Sequence, residues 1–126
     1  AEQQLTEADA VVLAAVGDRL PAYEEGEDIY TDTLVSVIRG GDFEEGAQFT
    51  LRRPGGKVRV PGTSVEKVLI VDHLYPFPDK GGQVFLLLKQ VGEKYDIIDY
   101  MALRDGRPVA DRPENSVYMR HLGNLE

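Results

Sequence analysis

The sequence contains no cysteine and only two histidines. The lack of cysteine excludes disulfides, thiol nucleophiles and cysteine-ligated zinc or iron–sulfur clusters. Because the two histidines lie far apart, a zinc site is not expected, and the acidic residues at 24–28 lack the spacing of a calcium-binding loop. The sequence therefore predicts no metal and no cofactor.

Long apolar runs and positive charge are also scarce. No stretch approaches the roughly 20 apolar residues that a membrane-spanning helix requires, and no basic-then-apolar signal segment opens the sequence. The 14 Lys and Arg residues face 22 Asp and Glu, which gives a formal net charge of −8. We expect neither membrane insertion nor nucleic-acid binding, because such a charge repels phosphate groups.

The clearest structural signal is a β-hairpin. Two β-rich runs, residues 29–39 and 48–53, flank a polar turn that contains three glycines. Alternate residues of the first run are all β-branched, which places them on one face of a strand: Ile29, Thr31, Thr33, Val35 and Val37. A strand with one β-branched face and one mixed face is typical of a small barrel or a sandwich.

The rest of the chain adds further strand candidates. They are residues 10–16, 57–60, 65–71, 84–88, 95–103 and 107–110, with VFLLL at 84–88 expected to be the central strand of the core. Residues 10–16 could also extend a helix, since short apolar runs are ambiguous, but a buried strand is favoured. Residues 23–28 are predicted to be an acidic loop. No repeat or linker divides the 126 residues, so we expect a single domain.

Several segments together carry a family resemblance: AD-x-VV, IYTDTLVSVIRGG, V-x-V-P-G, VFLLLK and KYDIID. Over residues 8–104 the chain resembles a group of bacterial exported domains of mostly unknown function. Their OB-like barrels are similar to netrin-type and tissue-inhibitor-of-metalloproteinase modules. The resemblance implies a mainly β fold, a small OB-like barrel of five to seven strands with short terminal helices. The single β-barrel domain then spans 1–126, with an arm or short helix at 1–9 and a tail or short helix at 112–126.

The resemblance also implies a compartment and limits the mechanism. The protein would be periplasmic or extracellular, with Ala1 following a removed export signal, and the cytoplasm is the alternative. Tissue inhibitors of metalloproteinases chelate the zinc of their target through an amino-terminal cysteine, whereas this chain begins with Ala1. That inhibitory mechanism is not available here.

A basic strip is the first candidate site. It follows the acidic first third of the chain and consists of Arg52, Arg53, Lys57 and Arg59. We expect these side chains to share one face of two consecutive strands, and OB-like barrels bind ligands on such a face. Stacking aromatics, which nucleic-acid binding requires, are missing between Phe49 and Tyr75. The predicted partner is a protein or an acidic polymer, and the alternatives are internal pairing or solvation.

The segment 63–83, longer than the family pattern, is the second candidate. It contributes His73, Tyr75 and Phe77 to the predicted binding residues. The aromatic loop is either a cover on the end of the barrel or an exposed contact site. Asp72 and His73 are the one neighbouring carboxylate–imidazole pair, but adjacent strand residues point to opposite faces and no G-x-S-x-G nucleophile accompanies them.

These observations favour one function over two alternatives. The preferred interpretation is a non-enzymatic exported domain that binds a protein, peptide or polymer. The first alternative is a purely structural domain of the cell envelope. The second, weaker alternative is a hydrolase that uses Asp72 and His73.

Overall fold

The structure is a computed structural model that describes residues 1–71 and 76–125. Within these residues it contains two helices and nine strands: α1 (Glu2–Glu7), β1 (Ala10–Arg19), β2 (Tyr23–Glu25), β3 (Asp28–Gly40), β4 (Gln48–Pro54), β5 (Gly56–Arg59), β6 (Glu66–Leu69), β7 (Gln83–Val91), β8 (Lys94–Arg104), β9 (Arg107–Pro108) and α2 (Asn115–Gly123). The preferred strand at residues 10–16 and the short helices near both ends of the chain are present.

Five of the strands close into a barrel. β1 pairs with β7, β7 with β8, β8 with β4, β4 with β3, and β3 returns to β1. Each pair is antiparallel except β4–β8, which runs parallel through Leu51 opposite Tyr95 and Arg52 opposite Asp96. This strand order with one parallel pair is that of an OB-like Greek-key barrel. The prediction of a mainly β, barrel-like fold with short terminal helices is confirmed.

The predicted hairpin is β3–β4, with Thr31 opposite Arg53 and Val35 opposite Phe49. The β-branched face of β3 points into the barrel, where Thr33 and Val35 are fully buried. β-Branched side chains suit this position because they pack well on a pleated, buried surface. The alternation in the sequence thus determines which side of β3 becomes the interior.

β7 is buried on both faces, which explains why VFLLL is the most apolar run of the chain. Val84, Leu86 and Leu88 point into the barrel core. Phe85 and Leu87 point outward into a second core, beneath α2. Each such side chain contributes about 1.5–3 kcal/mol when it is fully buried. A strand covered on both sides loses the alternation that marks a half-exposed strand.

Two parts of the chain lie beside the barrel. β5 and β6 form a separate two-stranded hairpin between the third and fourth barrel strands, and none of their residues belongs to either core among the residues described. β2 extends the sheet along β3. The prediction of a loop at 23–28 is therefore wrong in its first half, because Tyr23 pairs with Tyr30 and their ring centres lie 6.0 Å apart.

Candidate binding site

Arg52 and Arg53 lie on opposite sides of β4, because neighbouring strand residues point to opposite faces. Arg52 lies outside the barrel and donates to both carboxylate oxygens of Asp96 at 2.8 and 2.7 Å. It also donates to Glu25 at 3.0 Å, and its guanidinium carbon lies 4.4 Å from the centre of the Tyr30 ring. The hydrogen bond to Asp96 raises the pKa of Arg52. The expectation of one continuous basic face is therefore wrong.

A second ionic network covers the neighbouring part of the same outer face. Asp32 points outward from β3 yet is only 4% exposed, because Tyr23 and Lys94 cover it. The Tyr23 hydroxyl donates to one carboxylate oxygen at 2.9 Å, and Lys94 Nζ lies 2.6 Å from the other. The hydrogen bond to Asp32 raises the pKa of Lys94, and burial raises that of Tyr23. Internal pairs thus occupy part of the strand face that OB-like barrels use for ligands.

Arg53 points towards the end of the barrel. Its guanidinium carbon lies 4.1 Å from the centre of the Phe77 ring, which in turn packs edge-on against Tyr100 at 5.2 Å between ring centres. Phe77 is half-buried and packs on the barrel core. The position of Phe77 therefore agrees with the interpretation that the aromatic loop covers the end of the barrel, and not with an exposed contact site. His73 and Tyr75, like Asp72, lie outside the described residues.

A cavity of about 330 Å³ lies between this end of the barrel and the β5–β6 hairpin. Three cationic side chains line it: Arg19 from the end of β1, Arg53 from β4 and Lys57 from β5. Burial, followed by repulsion from Arg19, lowers the pKa of Arg53. Sequence reasoning missed Arg19, which stands in the acidic first third of the chain, because only closure of the barrel brings it near Arg53.

The β5–β6 hairpin presents a mixed apolar and basic outer face. Lys57 lies opposite Val68 and Arg59 opposite Glu66, so these side chains share one face of the hairpin. Val68 is 50% exposed, and Ile70, two residues further along, is 80% exposed. Arg59 does not line the cavity. Of the four predicted basic residues, the structure thus places Lys57 and Arg59 together on an exposed surface.

A third polar cluster fixes the C-terminal helix to the barrel. Arg112 donates to both carboxylate oxygens of Asp99 at 3.2 and 3.0 Å, and the Tyr118 hydroxyl donates to the same carboxylate at 2.5 Å. Tyr118 is fully buried against Phe85. Burial, followed by the bond to Asp99, raises the pKa of Tyr118. Sequence analysis missed this cluster, since nothing local links residue 99 to residues 112 and 118.

Another cavity, of about 610 Å³, lies between the loop around Phe77 and the β8–β9 turn. Lys80, one of its charged side chains, is paired with Asp18 at 2.6 Å. Across residues 1–71 and 76–125, no group of three or more His, Asp or Glu side chains is placed to hold a metal ion. The hydrolase interpretation depends on Asp72 and His73, so it stays a prediction.

Comparison with known proteins adds no relative. No protein family matches the chain, and neither a curated protein nor a solved structure matches it significantly. In the part of the chain that the structure describes, no helix has the length and apolar character needed to cross a membrane.

Proposed function

We propose that this protein is a non-enzymatic exported domain that binds an acidic protein, peptide or polymer through the outer face of the β5–β6 hairpin. The exposed side chains of Val68 and Ile70 beside two cations are the observation that carries the proposal. The exported location rests on the family resemblance.

The hairpin is suited to contact because the barrel does not need it. The five barrel strands close without β5 and β6, and apolar side chains that serve no core are left exposed on them. Burying one aliphatic side chain in a partner contributes about 1.5–3 kcal/mol before the costs of association. Val68 and Ile70 together can therefore supply a substantial part of the affinity of a modest interface.

Charge points to the class of partner. Lys57 and Arg59, with Glu66 opposite Arg59, leave this face with a net positive charge on a molecule of net charge −8. The resulting field steers acidic molecules towards the hairpin, and the negative remainder of the surface repels them from other orientations. The expected partner is therefore acidic and contributes an apolar contact.

Photo-crosslinking tests this proposal directly. A photoreactive benzoylphenylalanine replaces Ile70 in one variant, and in the control it replaces Val91, which is 37% exposed on β7. In the native envelope fraction we expect a discrete adduct from position 70 only. Reversing the hairpin charges with Lys57→Glu and Arg59→Glu should weaken that adduct. Equal labelling at positions 70 and 91, or no adduct at position 70, would contradict the proposal.

The structural interpretation is the second candidate, and the internal pairs of the outer face favour it. Arg52 is bound by Asp96 and Glu25, and Asp32 by Tyr23 and Lys94. These pairs stiffen the barrel and leave fewer groups of that face for a ligand. An absence of adducts at position 70, with the domain still retained in the envelope fraction, would favour this interpretation.

A further inference from the structure

The cavity between the barrel end and the hairpin concentrates positive charge within an acidic protein. Arg19, Arg53 and Lys57 reach it from three different strands. Within residues 1–71 and 76–125, none of the three has a carboxylate oxygen within 4 Å, although other basic side chains, such as Arg52 and Lys94, are paired. The three positive charges at this cavity are therefore uncompensated by any carboxylate among the residues described.

Arg53 makes the imbalance costly. Its guanidinium is half-buried, and its contact on one side is the face of the Phe77 ring. A ring face attracts a cation but accepts none of the five guanidinium hydrogen bonds in the way an oxyanion does. A partly desolvated arginine beside a second arginine is stabilised by an anion that bonds both. The lowered pKa of Arg53 agrees with this arrangement.

We propose that this cavity is a binding site for the dianionic phosphate group of a soluble phosphate monoester. Three cations balance the charge of a dianionic ligand better than that of a carboxylate, which carries one negative charge. Guanidinium groups also bind two ligand oxygens at once. The volume of about 330 Å³ holds the oxyanion together with a small organic group. Aliphatic side chains of the hairpin, from Val68 to Val71, form the wall that this organic group contacts.

The proposal goes beyond the hairpin interface and does not depend on it. The cavity shares Lys57, Val68 and Ile70 with the outer face of the hairpin, but it also requires Arg19 and Arg53, which the interface does not use. A soluble ester is favoured over a lipid headgroup because the net charge of −8 opposes approach to an anionic membrane.

The test is an NMR titration of the ¹⁵N-labelled protein at pH 7.5, in which sodium phosphate progressively replaces sodium chloride at constant ionic strength. We expect saturable shifts of the Gly55 and Gly56 amides, which line the cavity, and tighter saturation with glycerol 1-phosphate. Arg19→Gln should weaken phosphate binding about tenfold, the loss of one charge-assisted contact. Arg59→Gln, a change on the same hairpin outside the cavity, should alter it less than twofold.

The choice of Arg19 keeps the test interpretable, because this side chain is exposed and its substitution should leave the fold intact. Linear shifts that do not saturate, or equal effects of Arg19→Gln and Arg59→Gln, would overturn the proposal. Acetate binding as tightly as phosphate would overturn the dianion assignment, and preferential binding to phosphatidate vesicles would overturn the soluble source. The Arg19→Gln variant should lose phosphate binding but keep crosslinking at position 70. The phosphate site and the hairpin interface can therefore be refuted independently.

Discussion

Removal of Arg112 should weaken the attachment of the C-terminal helix to the barrel and cost about 3 kcal/mol of unfolding free energy. The side chains of Arg112 and Asp99 are only 10% and 16% exposed, and their closest oxygen–nitrogen distance is 3.0 Å. The substitution Arg112→Met keeps much of the side-chain volume but leaves the Asp99 carboxylate poorly solvated and without its cation. Breaking a buried pair in this way costs about 3–5 kcal/mol, and the remaining exposure favours the lower value.

This cost is a large part of the stability of a small domain, which is typically about 5–15 kcal/mol. Urea denaturation at pH 7, followed by far-ultraviolet circular dichroism, measures it. Arg120→Met is the matched control, since Arg120 lies exposed on α2 and its replacement should change stability by less than about 0.5 kcal/mol.

A double variant separates the ion pair from simple packing. Asp99→Asn together with Arg112→Met removes both charges, so the combined cost should be smaller than the sum of the two single costs. An Arg112→Met variant within about 0.5 kcal/mol of the Arg120→Met control would refute the role of this pair. Additive costs in the double variant would contradict the coupling.

Three further predictions concern the barrel and its turns. Burial and the hydrogen bond to Asp99 raise the pKa of Tyr118 above 10.0. The contribution of Tyr118 to folding stability should therefore be constant below pH 10 and fall above it. Tyr118→Phe should show a shallower alkaline loss in urea titrations from pH 8 to 11, and an unchanged slope would contradict this. Lys94→Met leaves Asp32, whose side chain is 6% exposed, without its cation. It should cost about 1–2 kcal/mol in urea denaturation at pH 7, and no cost would show that the pair is dispensable. Gly56→Ala should cost about 2–4 kcal/mol, because its φ is +139° and a Cβ would lie 2.5 Å from a threonine hydroxyl. Gly62→Ala, with φ of +76° and open space around it, should cost about 1 kcal/mol, and thermal unfolding of both variants tests the difference.

Much of the fold was readable because its signals are local. The period-two pattern of residues 29–37 predicted that the β-branched side chains share one face of β3, and the apolar run at 84–88 predicted the central strand of the core. Glycine and proline marked the ends of the hairpins. Residues 23–25 were misread as part of a loop because two consecutive glutamates outweighed Tyr23, whose ring packs on a residue of the next strand.

The candidate site was only partly predictable, since its residues meet through the barrel. The composition placed Arg52, Arg53 and Lys57 in one basic strip, but strand alternation puts Arg52 and Arg53 on opposite faces. Arg19 is 34 residues before Arg53 in the chain and reaches the same cavity through the closure of β1 on β3. No local pattern contains that information.

By itself, the sequence determined the β-rich character, the hairpin at the centre of the fold and the acidic balance of the molecule, because these depend on residue type and short-range spacing. Only the tertiary structure decided which charges are compensated. It paired Arg52 with Asp96 across a parallel strand contact, buried Asp99 with Arg112, and brought Arg19, Arg53 and Lys57 together without a carboxylate among the residues described. The physical reason is that an ion pair depends on distance in space, which barrel closure sets and sequence separation does not.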